Sequence, residues 1–142
     1  MLTERALTHA ELPLVYDSWI KNFRSSPWAG CLPNHVAVAI HRSAIVDLIN
    51  AGATLRGLFD GEECVAWVCE DFDADENTAV VHFAYVKAKV ADADMAAVRA
   101  ALAPDSGIYT YKTTWLQSFL GNGFRHRPAF ARKRSKPQER HA

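Results

Sequence analysis

The sequence predicts an α/β (α+β) domain: a mixed, mainly antiparallel central sheet flanked by about four helices. Three observations carry this. Residues Thr78 to Lys87 are almost continuously β-branched or aromatic, as a strand covered on both faces requires. From Asp92 the apolar period changes to helical, with Met95, Val98 and Leu102 repeating until Pro104 stops it. Upstream, Asp60-Gly61 separates two alternating stretches in the manner of a hairpin turn.

The elements follow in order. Leu2 to Leu7 reads as a first strand, and Thr8-His9-Ala10-Glu11 has capping-box spacing, with Pro13 tolerable in the first helical turn. Leu12, Val15, Trp19 and Phe23 then share one helical face. Arg24 to Pro33 holds two prolines and a glycine and reads as a loop presenting Trp28. Asn34 is placed to cap a second helix, whose apolar face is expected to be Val36, Ile40, Ala44, Ile45 and Leu48, with Gly52 ending it. His35 and His41 ride on that helix as structural or solvated groups.

Ala53 to Phe59 and Glu62 to Glu70 form the hairpin, with Val65, Trp67 and Cys69 expected on one face. Asp71 to Asn77 starts like a calcium loop. Its sixth position is Glu76 where glycine is needed, and its twelfth is His82 where glutamate is needed, so it reads as a solvated acidic turn. In the central strand, alternation assigns Val80, Ala84 and Val86 to one face and Val81, Phe83 and Tyr85 to the other. Asp92 and Asp94 serve as helix caps. Ile108 to Tyr111 is a short fifth strand, Thr113 caps a helix holding Trp115, Leu116, Phe119 and Leu120, and Gly121-Asn122-Gly123 ends it. Phe124 to Arg132 is the last strand. The order is βααβββαβαβ.

At 142 residues, 49% apolar and 23% charged, the chain suits one folded domain and excludes global disorder. Residues 1–133 are expected to be that domain and 134–142 a basic tail without fixed structure. No apolar run approaches the roughly 18 residues of a membrane span, and no leader pattern is present, so a cytoplasmic protein is expected. Cys31, Cys64 and Cys69 are odd in number and lack metal-ligand spacing; they read as buried thiols, with no metal site implied. Charge is unevenly spread. Of sixteen basic residues seven lie from Arg125 onwards, against one of sixteen acidic residues, which leaves nine basic and fifteen acidic residues before them.

This order, with the stretches ELPLVYDSWIKNFRSSPWAGCLPNHV, VVHFAYVK and GNGF, resembles the GNAT superfamily of N-acyltransferases, and within it a bacteriophage-encoded branch. The likeness spans Leu2 to Lys133. It implies acetyl-CoA as cofactor, with its pantetheine arm along Tyr85, Val86 and Lys87. It also implies a pyrophosphate loop of pattern Q/R-x-x-G-x-G/A at Lys89 to Asp94. Here that loop has no glycine and carries Asp92 and Asp94, leaving Lys87 and Lys89 as the phosphate charges. The family's acid, a tyrosine four residues before a Gly-Phe pair, falls on Phe119, so Tyr109 or Tyr111 would have to serve unless both are ordinary strand residues; His82 is the candidate base for an amine, and the reading favoured over that is a core histidine hydrogen-bonded across the sheet.

The reading these departures favour is a catalytically degenerate GNAT-like domain, a phage accessory protein of the host-cell cytoplasm, that binds a macromolecular partner, a protein, through Arg24, Trp28 and the tail. The alternative is an acetyl-CoA-dependent N-acetyltransferase. A third is nucleic-acid binding through the basic tail. Pairing of late strands in a homodimer is a further implication of the resemblance.

Overall fold

The computed structural model describes residues 2–24, 33–90, 92–111 and 114–127; the side chains of residues 22–24, 34, 92, 93, 114 and 115 are outside that description. Trp28, Cys31, Thr113 and the 134–142 tail therefore lie outside the described residues.

The chain runs β1 (Leu2–Ala6), a 3-10 turn (His9–Glu11), α1 (Leu12–Arg24), α2 (Asn34–Asn50), β2 (Thr54–Asp60), β3 (Glu63–Asp73) and β4 (Thr78–Val86). It continues through α3 (Asp92–Leu102), β5 (Gly107–Tyr109), α4 (Thr114–Leu120) and β6 (Phe124–His126). The expected order holds throughout. The six strands form one sheet in sequence order, antiparallel from β1 to β4 and parallel from β4 to β6. Gly61, at φ 64°, makes the β2–β3 turn. Among the described residues no helix is long and apolar enough to cross a membrane.

Each face of the sheet buries one apolar cluster. On the α1–α2 side, Val15, Trp19, Ile45 and Leu48 cover Phe59, Trp67, Cys69 and Phe83. Trp19 stacks on Phe83 with ring centroids 4.7 Å apart and on Trp67 at 6.0 Å, pairs each contributing about 0.5–1.5 kcal/mol beyond area burial. The Trp67 indole N–H donates to Ser18 Oγ at 2.7 Å, so the polar end of the ring is satisfied inside the core. On the α3–α4 side, Val98, Leu102, Leu116 and Phe119 cover Leu58, Val68, Val81 and Ala84. Arg56 of β2 reaches beneath α3, donating to the carbonyls of Ala101 at 3.1 Å and Leu102 at 3.3 Å while it pairs with Glu70 and Glu4. A cation thus satisfies the open carbonyl end of α3.

Two β-bulges correct the face assignments. Between β3 and β4 the register steps from Glu70↔Val81 to Cys69↔Phe83, so His82 is an extra residue. One inserted residue reverses the alternation beyond it: Val81 joins Ala84 and Val86 on the α3–α4 side, while Phe83 and Tyr85 face α1–α2. A second step, from Leu58↔Ala66 to Phe59↔Cys64, makes Val65 extra, and Cys64 takes its expected place beside Trp67 and Cys69.

Further corrections are local. Ile40 is 51% exposed, because the buried line of α2 runs through half-buried His41, then Ile45 and Leu48. Burial lowers the His41 pKa from its ordinary value. The α2 cap position is Pro33, and Asn34 is the first helical residue. The acidic stretch 71–77 is an exposed turn only at residues 74–77, because Asp71, Phe72 and Asp73 are the end of β3. Asp73 is only 4% exposed and accepts from the amides of Asp75 and Glu76 and from Arg127 Nη2 at 2.6 Å. Glu76 pairs with Arg125 and Arg127. Of the expected last strand, Phe124 to Arg132, the described part is β6, Phe124–His126, with Arg127 outside it, and residues 128–132 lie outside the described residues.

Candidate functional site at the fork of the sheet

The parallel ladder between β4 and β5 comprises Val80↔Ile108 and Val81↔Tyr109, after which the Thr110 amide donates to the Val81 carbonyl at 3.2 Å. β5 ends at Tyr109, whereas β4 continues to Val86. The bulge at His82 falls where this ladder stops, and a bulge bends and further twists its strand. The two strands fork there.

A short polar chain occupies the fork. His82 is fully buried, with Nδ1 2.7 Å from the hydroxyl of Thr110, itself 4% exposed. The other ring nitrogen, Nε2, faces Asp71 Oδ2 of β3 at 3.6 Å. That distance exceeds a hydrogen bond, but it lets the carboxylate stabilise an imidazolium across the gap. With Nε2 protonated towards Asp71, Nδ1 accepts from the threonine hydroxyl.

The structure brings some predicted site residues together and separates others. Tyr109 is 6% exposed and packs on the α3–α4 side, its phenol oxygen accepting from Gln117 Nε2 at 2.9 Å. Tyr111 packs on the α1–α2 side, edge-on to Trp19 with centroids 5.5 Å apart. The sheet lies between the two tyrosines. Burial chiefly, with Cys69 and Asp47 behind it, raises the Tyr111 pKa, so its phenol is protonated at neutral pH. His82 contacts the residue between them. Phe119, four residues before the Gly123-Phe124 pair, is buried, and its carbonyl accepts from Arg99 Nε at 2.7 Å.

At the far end of β4, half-buried Tyr85 and Val86 turn to opposite faces. Lys87 to Val90 closes as a turn through an amide-to-carbonyl bond of 3.0 Å. Lys87 and Lys89 both converge on Glu63 of the β2–β3 hairpin, at 3.0 and 2.5 Å. Lys89, then Lys87, lowers the Glu63 pKa from its ordinary value. Both candidate phosphate charges therefore already hold an internal carboxylate. Arg24 is the last residue of α1 and its side chain, like Trp28, lies outside the described residues. Among the described residues no cluster of His, Cys, Asp and Glu is placed to hold a metal ion.

Thr110, Asp71 and Glu63 do not stand out in the sequence. Thr110 sits between two tyrosines on a short strand, which is the one local hint; its pairing with His82 spans 28 residues and emerges only from the β4–β5 register.

No family model matches the sequence, and no curated protein does. Solved structures match the fold. A possible acetyltransferase from Clostridium difficile 630 is 9% identical, with 89% of this chain and 79% of that one covered at a TM-score of 0.50. The PaiA N-acetyltransferase from Thermoplasma acidophilum, in complex with coenzyme A, is 12% identical at a TM-score of 0.49. That match covers 69% of this chain and 66% of the Thermoplasma protein, just under two thirds of its length. The mixed α+β sheet with its flanking helices is thus a fold shared with the Clostridium difficile protein.

Proposed function

We propose that this chain is a GNAT-like domain that no longer transfers acetyl groups from acetyl-CoA to amines and acts by binding a macromolecular partner, a protein, as an accessory protein of bacteriophage type. The observation that supports this is the placement of His82. It is fully buried with Nδ1 on Thr110, so it cannot take a proton from an amine arriving at the fork. Two further features agree. Lys87 and Lys89 are held by Glu63, and Phe119 stands where the family's acid would be. The glycine-free loop between Lys87 and Asp92 has no residue that lets backbone amides close on a pyrophosphate. Trp28, Arg24 and the basic tail are the proposed contacts for the partner, and nucleic acid is the competing ligand for the tail alone.

A second reading, an acetyl-CoA-dependent N-acetyltransferase, draws support from one observation: Tyr111 is kept protonated by its surroundings, as a general acid must be. The experiment is a thiol-release assay with acetyl-CoA and a panel of primary amines, run on wild type and Tyr111→Phe. No amine-dependent release supports the binding reading. Amine-dependent release that Tyr111→Phe abolishes would replace it with the enzyme reading.

A further inference from the structure

The hydrogen bond that withdraws His82 from an incoming amine couples it to a different group. Thr110 Oγ1, at 2.7 Å, is within proton-transfer reach of Nδ1, and Asp71 stands 3.6 Å behind Nε2. A hydroxyl, an imidazole at hydrogen-bond distance and a carboxylate behind the imidazole form the arrangement that activates an otherwise weak oxygen nucleophile. The three come from β3, β4 and the end of β5, so adjacent strands hold them rather than long loops.

We propose that Asp71, His82 and Thr110 form a nucleophilic site at which Thr110 is acylated by small activated esters or thioesters. In the step, Thr110 Oγ1 bonds to the acyl carbon while its proton passes to His82 Nδ1. The bond from the acyl carbon to the leaving alkoxide or thiolate breaks, and that group leaves with the electron pair and takes the proton from His82 Nδ1. Asp71 stabilises the imidazolium formed in between.

The surroundings set the substrate class. Thr110 is 4% exposed, and it lies just past the last ladder pair, where β4 and β5 part. With so little of Thr110 exposed, the proposal is confined to an acetyl-sized group and excludes a bulky one. This activity goes beyond the binding reading above and does not need coenzyme A to bind.

The probe is p-nitrophenyl acetate with the full chain. The expected result is a burst of about one p-nitrophenolate per chain, with a single acetyl group mapped to Thr110 by peptide mass. Thr110→Ser keeps the burst, Thr110→Val abolishes it, and Asp71→Asn slows it by about tenfold or more. A p-nitrophenyl ester of a long fatty acid gives no burst. Acetyl found on lysines but not on Thr110 in wild type overturns the proposal, and so does an unchanged burst in a folded Thr110→Val. Mapping the acetyl group on wild type decides the matter even if a variant fails to fold. Amine-dependent turnover of acetyl-CoA would overturn the binding reading while leaving this result untouched.

Discussion

His82 Nδ1 lies 2.7 Å from Thr110 Oγ1, a contact that ties β4 to β5 one residue past their last ladder pair. It sits in a site with no solvent exposure at the histidine, so replacing the ring leaves both a void and an unsatisfied hydroxyl. His82→Ala should lower unfolding free energy by about 3 kcal/mol, measured by urea denaturation. A loss below about 1 kcal/mol would show that the contact contributes little to holding the strands together.

Gly107 opens β5 at φ 156°, and a Cβ there would come within 2.4 Å of the Ala79 carbonyl oxygen. Gly57 is crowded by side chains instead, with Leu7 Cδ2 at 2.4 Å, and a side-chain tip can move where a backbone cannot. Gly107→Ala should therefore cost about 3 kcal/mol and Gly57→Ala about 1–2 kcal/mol. Thermal denaturation of the two variants tests the order, and equal losses would contradict it.

Arg5, with the Thr8 amide and hydroxyl, holds the Glu11 carboxyl down to about 2 from the usual 4.5. A depressed folded-state pKa adds stability that is complete above the unfolded value and lost as pH falls from about 4.5 to about 2. The Glu11 side chain is 19% exposed and that of Arg5 46%, so solvent screening reduces the effect to about 1 kcal/mol at neutral pH. Glu11→Gln should be less stable than wild type at pH 7 by that amount, and the two should converge near pH 2. A difference that persists at pH 2 would place the effect in packing rather than charge.

Arg127 meets the buried Asp73 and Glu76, whereas Arg125 meets Glu76 alone at a more exposed site. Arg127→Ala should cost about 2 kcal/mol by leaving Asp73 buried without its cation, and Arg125→Ala less than about 1 kcal/mol. Chemical denaturation of both variants at low and high salt measures this. The Arg125→Ala difference should fade with salt and the Arg127→Ala difference should persist.

Much of the fold is legible in the sequence because periodicity is a local property. The two-residue alternation of Thr78 to Val86, the helical repeat of Met95, Val98 and Leu102, and the Asp60-Gly61 turn each locate an element without knowledge of its neighbours. The extra residues at Val65 and His82 are not legible. A bulge is a mismatch between two strands, so nothing in either one alone announces it, and past it every face assignment reverses. The same limit hides the site. His82 stands out as a histidine on the central strand, but Thr110 and Asp71 reach it from 28 and 11 residues away through sheet pairing. The acidic stretch 71–77 looks solvated because its cations, Arg125 and Arg127, lie about fifty residues downstream.

The binding reading stands or falls on whether this fold holds acetyl-CoA in a productive site, and isothermal titration of the full chain with acetyl-CoA decides it. No binding tighter than about 100 μM, or roughly 5.5 kcal/mol, is expected, because Glu63 already holds Lys87 and Lys89 and the loop after β4 has no glycine. Binding in the low micromolar range, reversed by coenzyme A, would contradict it.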